Sequence, residues 1–255
     1  MKRDLTNFNL TAAMKSLYTS GEYFAKLRPQ VSRAARDNYW DAPVDPDGVQ
    51  RDRLAEKDQY LQNLQCELGF ISHLEPGKIL DIGCGPGWLL SAIDDGWCKY
   101  GVEPSAQASS HASRHGEIFI GPFEEADYPN DFFDLVIAYH VIEHMENPAT
   151  ALRNIRNILR PGGAMVIGTP DFDSGCARHF GNNYRLLQDP THISLFSTDS
   201  MHRCLRDAGF EILEVEYPFF STTWFKRANL LRCFDIGRIS PPAYGNFMTF
   251  YCRSP

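Results

Sequence analysis

The run Lys78-Ile-Leu-Asp-Ile-Gly-Cys-Gly-Pro-Gly87 holds the most chemistry in this chain. Its apolar residues Ile79, Leu80 and Ile82 give way to three alternating glycines, Gly83, Gly85 and Gly87. That pattern predicts a buried strand opening into a loop where backbone approaches a ligand closely. The small Cys84 fits inside such a loop. Asp81 selects the charge of the ligand. A carboxylate fixed here repels a pyrophosphate and attracts an ammonium or a sulfonium. The glycines would also let backbone N–H groups meet a ligand carboxylate where a helix begins, near Trp88.

S-adenosylmethionine (SAM) carries both an ammonium and a sulfonium, and three further strand ends match its outline. In Gly101-Val-Glu103-Pro104-Ser105, Glu103 follows Gly83 by 20 residues. A carboxylate there can accept both hydroxyls of a ribose, as charged acceptors do best. In Gly121-Pro-Phe123-Glu124, the backbone at Phe123 and the side chain of Glu124 can meet an adenine edge. Glu124 could equally be an exposed acidic helix start. Ala138-Tyr139-His140 would emerge beneath the reactive methyl group.

These ends must be delivered by strands. Apolar runs predict strands at 78–82, 98–103, 117–120, 133–139, 163–169, 211–217 and 246–252. Phe133–Tyr139 is almost continuously apolar, as in a parallel strand covered on both faces. A helix at 148–160 is entered at Asn147-Pro148 and stopped by Pro161-Gly162-Gly163. Another at 198–208 is capped by Ser197 or Thr198 and closed by Gly209. Alternation of this kind predicts a doubly wound α/β sheet.

Three zones follow: a helical cap or lid over 1–75, the ligand-binding core over 76–217, and an aromatic covering segment with a final strand over 218–255. Spacing of apolar residues at three and four predicts one amphipathic helix over 51–70. The Pro- and Asp-rich stretch 41–48 predicts a loop. Tyr217, Phe219, Phe220, Trp224, Phe225, Phe234, Tyr244, Phe247, Phe250 and Tyr251 are expected mostly as core or lid, with Phe220, Trp224 and Tyr184 as an alternative apolar wall for an acceptor.

Taken together, Ile79–Gly87, Gly101–Ser105, Phe133–His144 and Leu159-Arg-Pro-Gly-Gly163 resemble the class I SAM-dependent methyltransferases in order and spacing. The flavour resembles small-molecule O-methyltransferases of ubiquinone, sugar and natural-product pathways. Asp189-Pro-Thr-His192-Ile-Ser-Leu-Phe196 is also similar to a segment of that branch. The resemblance implies a Rossmann-like, seven-stranded sheet with its last strand antiparallel, and SAM as cofactor.

Methyl transfer from a sulfonium is an in-line displacement in a water-poor pocket, and a hydroxyl nucleophile benefits from a histidine base. His192 and His144 are the candidate bases, His192 in the long 171–198 connection and His144 alternatively a packing or capping residue. His140 is a further candidate, and a cofactor contact. His140-Val-Ile-Glu143-His144 also spells the inverted zinc-peptidase pattern, but its histidines follow a strand rather than lying on a helix. The resemblance offers a related E-x-x-E-H cation motif. His140 stands where that motif has a carboxylate, so no metal is expected.

The chain has 255 residues, net charge −7 and a pI near 5.6, which argues against a nucleic-acid partner. An odd seven cysteines without C-x-x-C pairing, no secretory signal and no long apolar window predict a reduced, cytoplasmic protein without a membrane span. The expected partner is a small-molecule acceptor, with oligomeric state unassigned. The competing readings are a catalytically silent SAM-fold module and, against Asp81, a NAD-dependent oxidoreductase.

Overall fold

The computed structural model describes residues 8–20, 22–26, 40, 52–218, 227–241 and 246–255. The stretch 41–48 and residues Phe219, Phe220, Trp224, Phe225 and Tyr244 lie outside them. The strands, in chain order, are β1 (Ala25–Lys26), β2 (Lys78–Ile82), β3 (Cys98–Glu103), β4 (Glu117–Ile120), β5 (Phe133–Tyr139), β6 (Leu159–Pro170), β7 (Ser194–Leu195), β8 (Glu211–Glu216) and β9 (Phe247–Arg253). Seven of them form one sheet in the order β4-β3-β2-β5-β6-β9-β8, with β9 antiparallel to both neighbours. β1 and β7 make a separate antiparallel pair.

The sheet is covered on both faces. Leu80, Val136, Ile167 and Phe250 pack on one side with Leu152, Ile155, Met201 and Leu205 of the helices Pro148–Ile158 and Thr198–Asp207. Ile79, Leu135, Ile137 and Val166 pack on the other with Leu64 and Ile71 of the N-terminal zone. Leu135, Val136 and Ile137 are at most 1% exposed, which explains why β5 is apolar at consecutive positions rather than alternate ones. Among the described residues, no helix is long and apolar enough to cross a membrane. All seven cysteines are free thiols.

Local signals account for most helix ends. Ser197 and Ser200 cap each other reciprocally, and Gly209, at φ 91°, ends that helix. Pro148 fills a first-turn position, but Asn147 makes no side-chain cap bond.

Several features differ from expectation. Tyr217 and Phe234, expected as core or lid, stand 52% and 85% exposed rather than in the core. Residues 51–70 are not one helix but a 3₁₀ turn, Arg53–Ala55, and two helices, Lys57–Asn63 and Gln65–Ser72. The break falls at Leu64, whose N–H bonds to Leu61 O while its side chain, 1% exposed, is drawn into the core. β6 starts at Leu159, before Gly163, because Leu159 pairs with Phe133 and a register shift absorbs the Pro-Gly-Gly turn. Tyr184 is no acceptor wall. It is 1% exposed, packed edge-on against Phe172 in a small core that joins the helix Leu10–Ser20 to the 171–198 connection.

Candidate active site

The ligand edge is set by topology. From β2 the chain steps outward to β3 and β4, then crosses to β5 and β6 on the other side. Ile82 at the end of β2 is level with Val102 and Ala138 on its two neighbours. The carboxyl ends of β2, β3 and β5 therefore meet at the point where strand order reverses, the usual crevice for a ligand in such sheets.

Asp81, 3% exposed, lies at this edge, and no described residue donates a hydrogen bond to its carboxyl group. Burial, and then the charge of Glu103, push it up to about 8. Gly83 and Gly85 adopt φ of 72° and 54°, and Cβ atoms there would strike Val141 and the ring of Trp40. Trp40, Trp88 and Tyr60 stack edge-on beside the loop.

The loop N–H groups are already committed. Gly83 N and Cys84 N donate to Val102 O, Gly85 N to Glu103 Oε2, and Gly87 N to Cys84 O. What the glycines supply here is room for Val141 and the ring of Trp40 rather than spare donors. The helix that follows, Trp88–Ala92, is barely more than one turn. Cys84 is 7% exposed and packs against Gly101, and burial drives its thiol far above the usual range, so it is no nucleophile.

Glu103 is 6% exposed. Its Oε1 accepts from Ser105 N at 2.9 Å, across Pro104. Gly121 N donates to Glu103 O, which ties the next strand end to the same edge. Phe123 is buried in a 3₁₀ turn, Phe123–Glu125, while Glu124 is exposed at that turn. Tyr139 lies flat against Gly168, where any side chain would displace it.

The three candidate histidines occupy different surroundings. His140 adopts φ 58° and donates its N–H to Gly168 O at 2.8 Å. Its ring is wedged between Tyr139 and Phe247, with Nδ1 3.5 Å from Glu143 Oε1. His144 Nδ1 contacts Thr191 O at 3.0 Å. His192 Nδ1 contacts Leu186 O, and its side chain is closed off from solvent. Burial lowers the proton affinity of His192 despite the charge of Asp189. Further bonds, Ile193 N to Glu143 O and Ser194 Oγ to Met145 O, stitch this connection to the turn after β5. His192 thus holds a loop in place, and His144 shares that seam.

Glu143 is the residue that sequence reasoning missed as a site in its own right. It is fully buried, and its Oε2 accepts from Thr169 Oγ1 at 3.0 Å. Burial pushes its carboxyl up, but His140, with help from His144 and His192, holds it down at about 2. The available signal was a charged residue four positions beyond a largely apolar strand, within the otherwise apolar Val141-Ile142 turn. Glu143, His144 and His192 bring ligand-type atoms within 4.8 Å of one another. His192 Nε2 is 4.0 Å from Glu143 Oε1, wider than the edge of roughly 3.4 Å that bonds of about 2.1 Å give a tetrahedral site. The cluster suits hydrogen bonding and ion pairing better than an ion.

This geometry has relatives. The profile of a family described as methyltransferase domain matches residues 51–215. The chain belongs to the SAM-dependent methyltransferases. This methyltransferase is 32% identical over 195 residues to a ubiquinone biosynthesis O-methyltransferase of Bradyrhizobium diazoefficiens, covering 69% of its own length and 74% of the relative's. The enzyme of the same name from Bradyrhizobium sp. is 36% identical over 164 residues, with 58% and 64% covered. Against two further relatives, from Streptomyces fradiae and Schizosaccharomyces pombe, the methyltransferase spans 32% and 50% of their length. Its fold is that of a SAM-dependent methyltransferase from Thermotoga maritima, at TM-score 0.58, 22% identity, and coverage of 79% and 96%. SAM is accordingly the cofactor of the family to which the chain belongs.

Proposed function

We propose that this methyltransferase moves the methyl group of SAM to a hydroxyl oxygen of a small-molecule acceptor, in the cytoplasm. The observation that carries the cofactor side is Asp81: a buried carboxyl with no hydrogen-bond donor among the described residues, at the switch point of the sheet. It would face the ammonium of SAM. Glu103 would receive the ribose hydroxyls, with Pro104 shaping the turn beside it. Phe123 and Glu124 would meet the adenine, and Gly83, Cys84, Gly85 and Gly87 would line the methionine end. Tyr139 and His140 would lie under the methyl group.

Transfer then needs alignment of the acceptor oxygen, the methyl carbon and the sulfur in line, with water excluded. Residues 1–75 would form the cap, 76–217 the SAM core and 218–255 the closing segment, with the 171–198 connection completing the acceptor pocket. The net charge of −7 favours a small acceptor over a nucleic acid. The ubiquinone-pathway relatives favour oxygen as the atom methylated.

Calorimetry with SAM and with NAD tests the cofactor. Binding of NAD in place of SAM would sink the proposal. Transfer of labelled methyl from SAM to an acceptor panel separates an enzyme from a silent SAM-binding module.

A further inference from the structure

We propose that His140 is the general base of the methyl transfer, with Glu143 as the residue that positions it. His140 can serve in this way only if the chain methylates hydroxyl acceptors, as proposed above. The geometry favours His140 over His144 and His192. Both of those rings have Nδ1 against a backbone carbonyl in the seam between two loops. His140 instead stands at the carboxyl end of β5, on the edge where Asp81 and Glu103 gather, with its side chain 33% exposed.

Three restraints aim this ring. Its backbone adopts the left-handed conformation, which is costly for a residue with a Cβ and is paired here with the bond to Gly168 O. That conformation breaks the alternation of the strand and turns the side chain out at its end. Tyr139 and Phe247 then grip the ring edge-on, at 4.4 and 4.6 Å between centroids. Finally, Nδ1 faces Glu143 Oε1, a buried oxygen that accepts no hydrogen bond of its own while Thr169 holds Oε2. The ionised Glu143 favours the proton on Nδ1. Nε2, at the far side of the ring, is bonded by no described residue and is left bare as an acceptor.

In the reaction the acceptor hydroxyl gives its proton to Nε2 of His140. The freed oxygen lone pair forms the bond to the methyl carbon as the carbon–sulfur bond breaks, and that pair stays on sulfur. The sulfonium charge is thereby replaced by an imidazolium, so one positive charge exists before and after. Glu143 stabilises the imidazolium until the proton leaves through the exposed ring edge. The carboxyl groups facing His140 are Glu143, in the turn after β5, and Glu67, from the helix Gln65–Ser72, which burial holds above the ordinary carboxyl range.

The probe is a panel of phenols of graded acidity, with labelled SAM as donor, assayed against pH for the wild type, His140→Gln and Glu143→Gln. Wild-type kcat should rise with pH along a single histidine limb. His140→Gln should lose that limb and about 10²-fold or more in kcat on weakly acidic phenols. It should lose much less on phenols already ionised at the assay pH, and its SAM affinity by calorimetry should stay within about threefold. In Glu143→Gln the limb should move to lower pH, because the imidazolium has lost its counter-charge. Nitrogen NMR of labelled histidine gives a readout independent of any acceptor: His140 should carry its proton on Nδ1 in the wild type. A proton resident on Nε2, or equal losses in His140→Gln across the whole panel, overturns the assignment. A wild type that binds SAM and methylates no phenol overturns it as well, whereas a wild type that binds no SAM defeats the methyltransferase function itself.

Discussion

Glu103 Oε2 accepts the N–H of Gly85 at 3.0 Å, so the end of β3 holds the glycine loop that follows β2. One side chain thus shapes the loop and would also receive the ribose of SAM. Glu103→Ala should weaken SAM binding by roughly 2 kcal/mol through the lost charged acceptor. It should also lower unfolding free energy by about 1 kcal/mol or more, since two buried N–H groups lose their partner. Calorimetry and urea unfolding read the two effects separately, and a loss of affinity with unchanged stability would contradict the shared role.

On the proposed placement of Asp81 against the ammonium of SAM, binding becomes a proton-coupled event. With its carboxyl pushed up to about 8 by burial and by Glu103, Asp81 is largely protonated at neutral pH. A cationic ligand favours the carboxylate, so binding expels that proton and affinity climbs with pH until Asp81 is ionised beforehand. Calorimetry in two buffers of different ionisation heat should find close to one proton released per SAM near neutrality. Asp81→Asn should weaken binding by about 1–3 kcal/mol and flatten the pH slope. For the unliganded fold the sign is opposite. A carboxyl raised above its unfolded value costs stability as pH climbs through the window from about 4 up to about 8.

Gly85 faces Trp40, and a methyl group at that position would collide with the indole. The backbone there is also left-handed, at φ 54°. Gly85→Ala should therefore cost about 1–2 kcal/mol from the backbone alone. The displaced indole should be visible as altered tryptophan fluorescence. Wild-type fluorescence and melting temperature in this variant would mean that Trp40 does not cover the loop.

His192 is sealed between Leu186 O, Glu143 and His144. His192→Ala should reduce unfolding free energy by roughly 1–3 kcal/mol, the range for a buried polar group removed from its partners. SAM affinity should change little, and the pH limb of the reaction should survive in whatever activity remains. Disappearance of that limb would return the base to His192.

The open spacing of Glu143, His144 and His192 bears on metal dependence. Exhaustive dialysis against a chelator should leave both melting temperature and methyl transfer unchanged. A melting temperature that falls and is restored by added zinc or magnesium would show that the cluster closes around an ion.

The parts of this molecule most readable from sequence were those governed by local pattern. β2, β3, β4 and β5 fall where the sequence predicts them; β2 and β5 read most plainly because they are buried on both faces, whereas β3 and the edge strand β4 are more exposed. The break at Leu64 was not readable, since a single leucine drawn into the core outweighs a good amphipathic period. The early start of β6 was hidden by Pro161-Gly162-Gly163, which reads as a turn until Leu159 is seen to pair with Phe133. In the site, Asp81, Glu103 and the glycines sit beside their strands in the chain, so their meeting follows from the fold class. Glu143 and His192 meet only through a long connection that folds back. No spacing rule predicts that meeting, so the burial of His192 against Glu143 was not readable in the sequence.

The reversed direction of β9 bears on how such an enzyme can be altered. Every parallel strand leaves the sheet at the ligand edge, but β9 enters there, so that its first residue, Phe247, touches His140 while Arg253 pairs far below with Ala164. Asn246 O, immediately before it, accepts from Asp171 N, anchoring the entry point to the end of β6. Asn246 and Phe247 are thereby held at the ligand edge beside His140. An engineer could therefore vary Phe247 at this entry point to alter the surroundings of His140, while the seven strands and their hydrogen-bond ladder stay untouched.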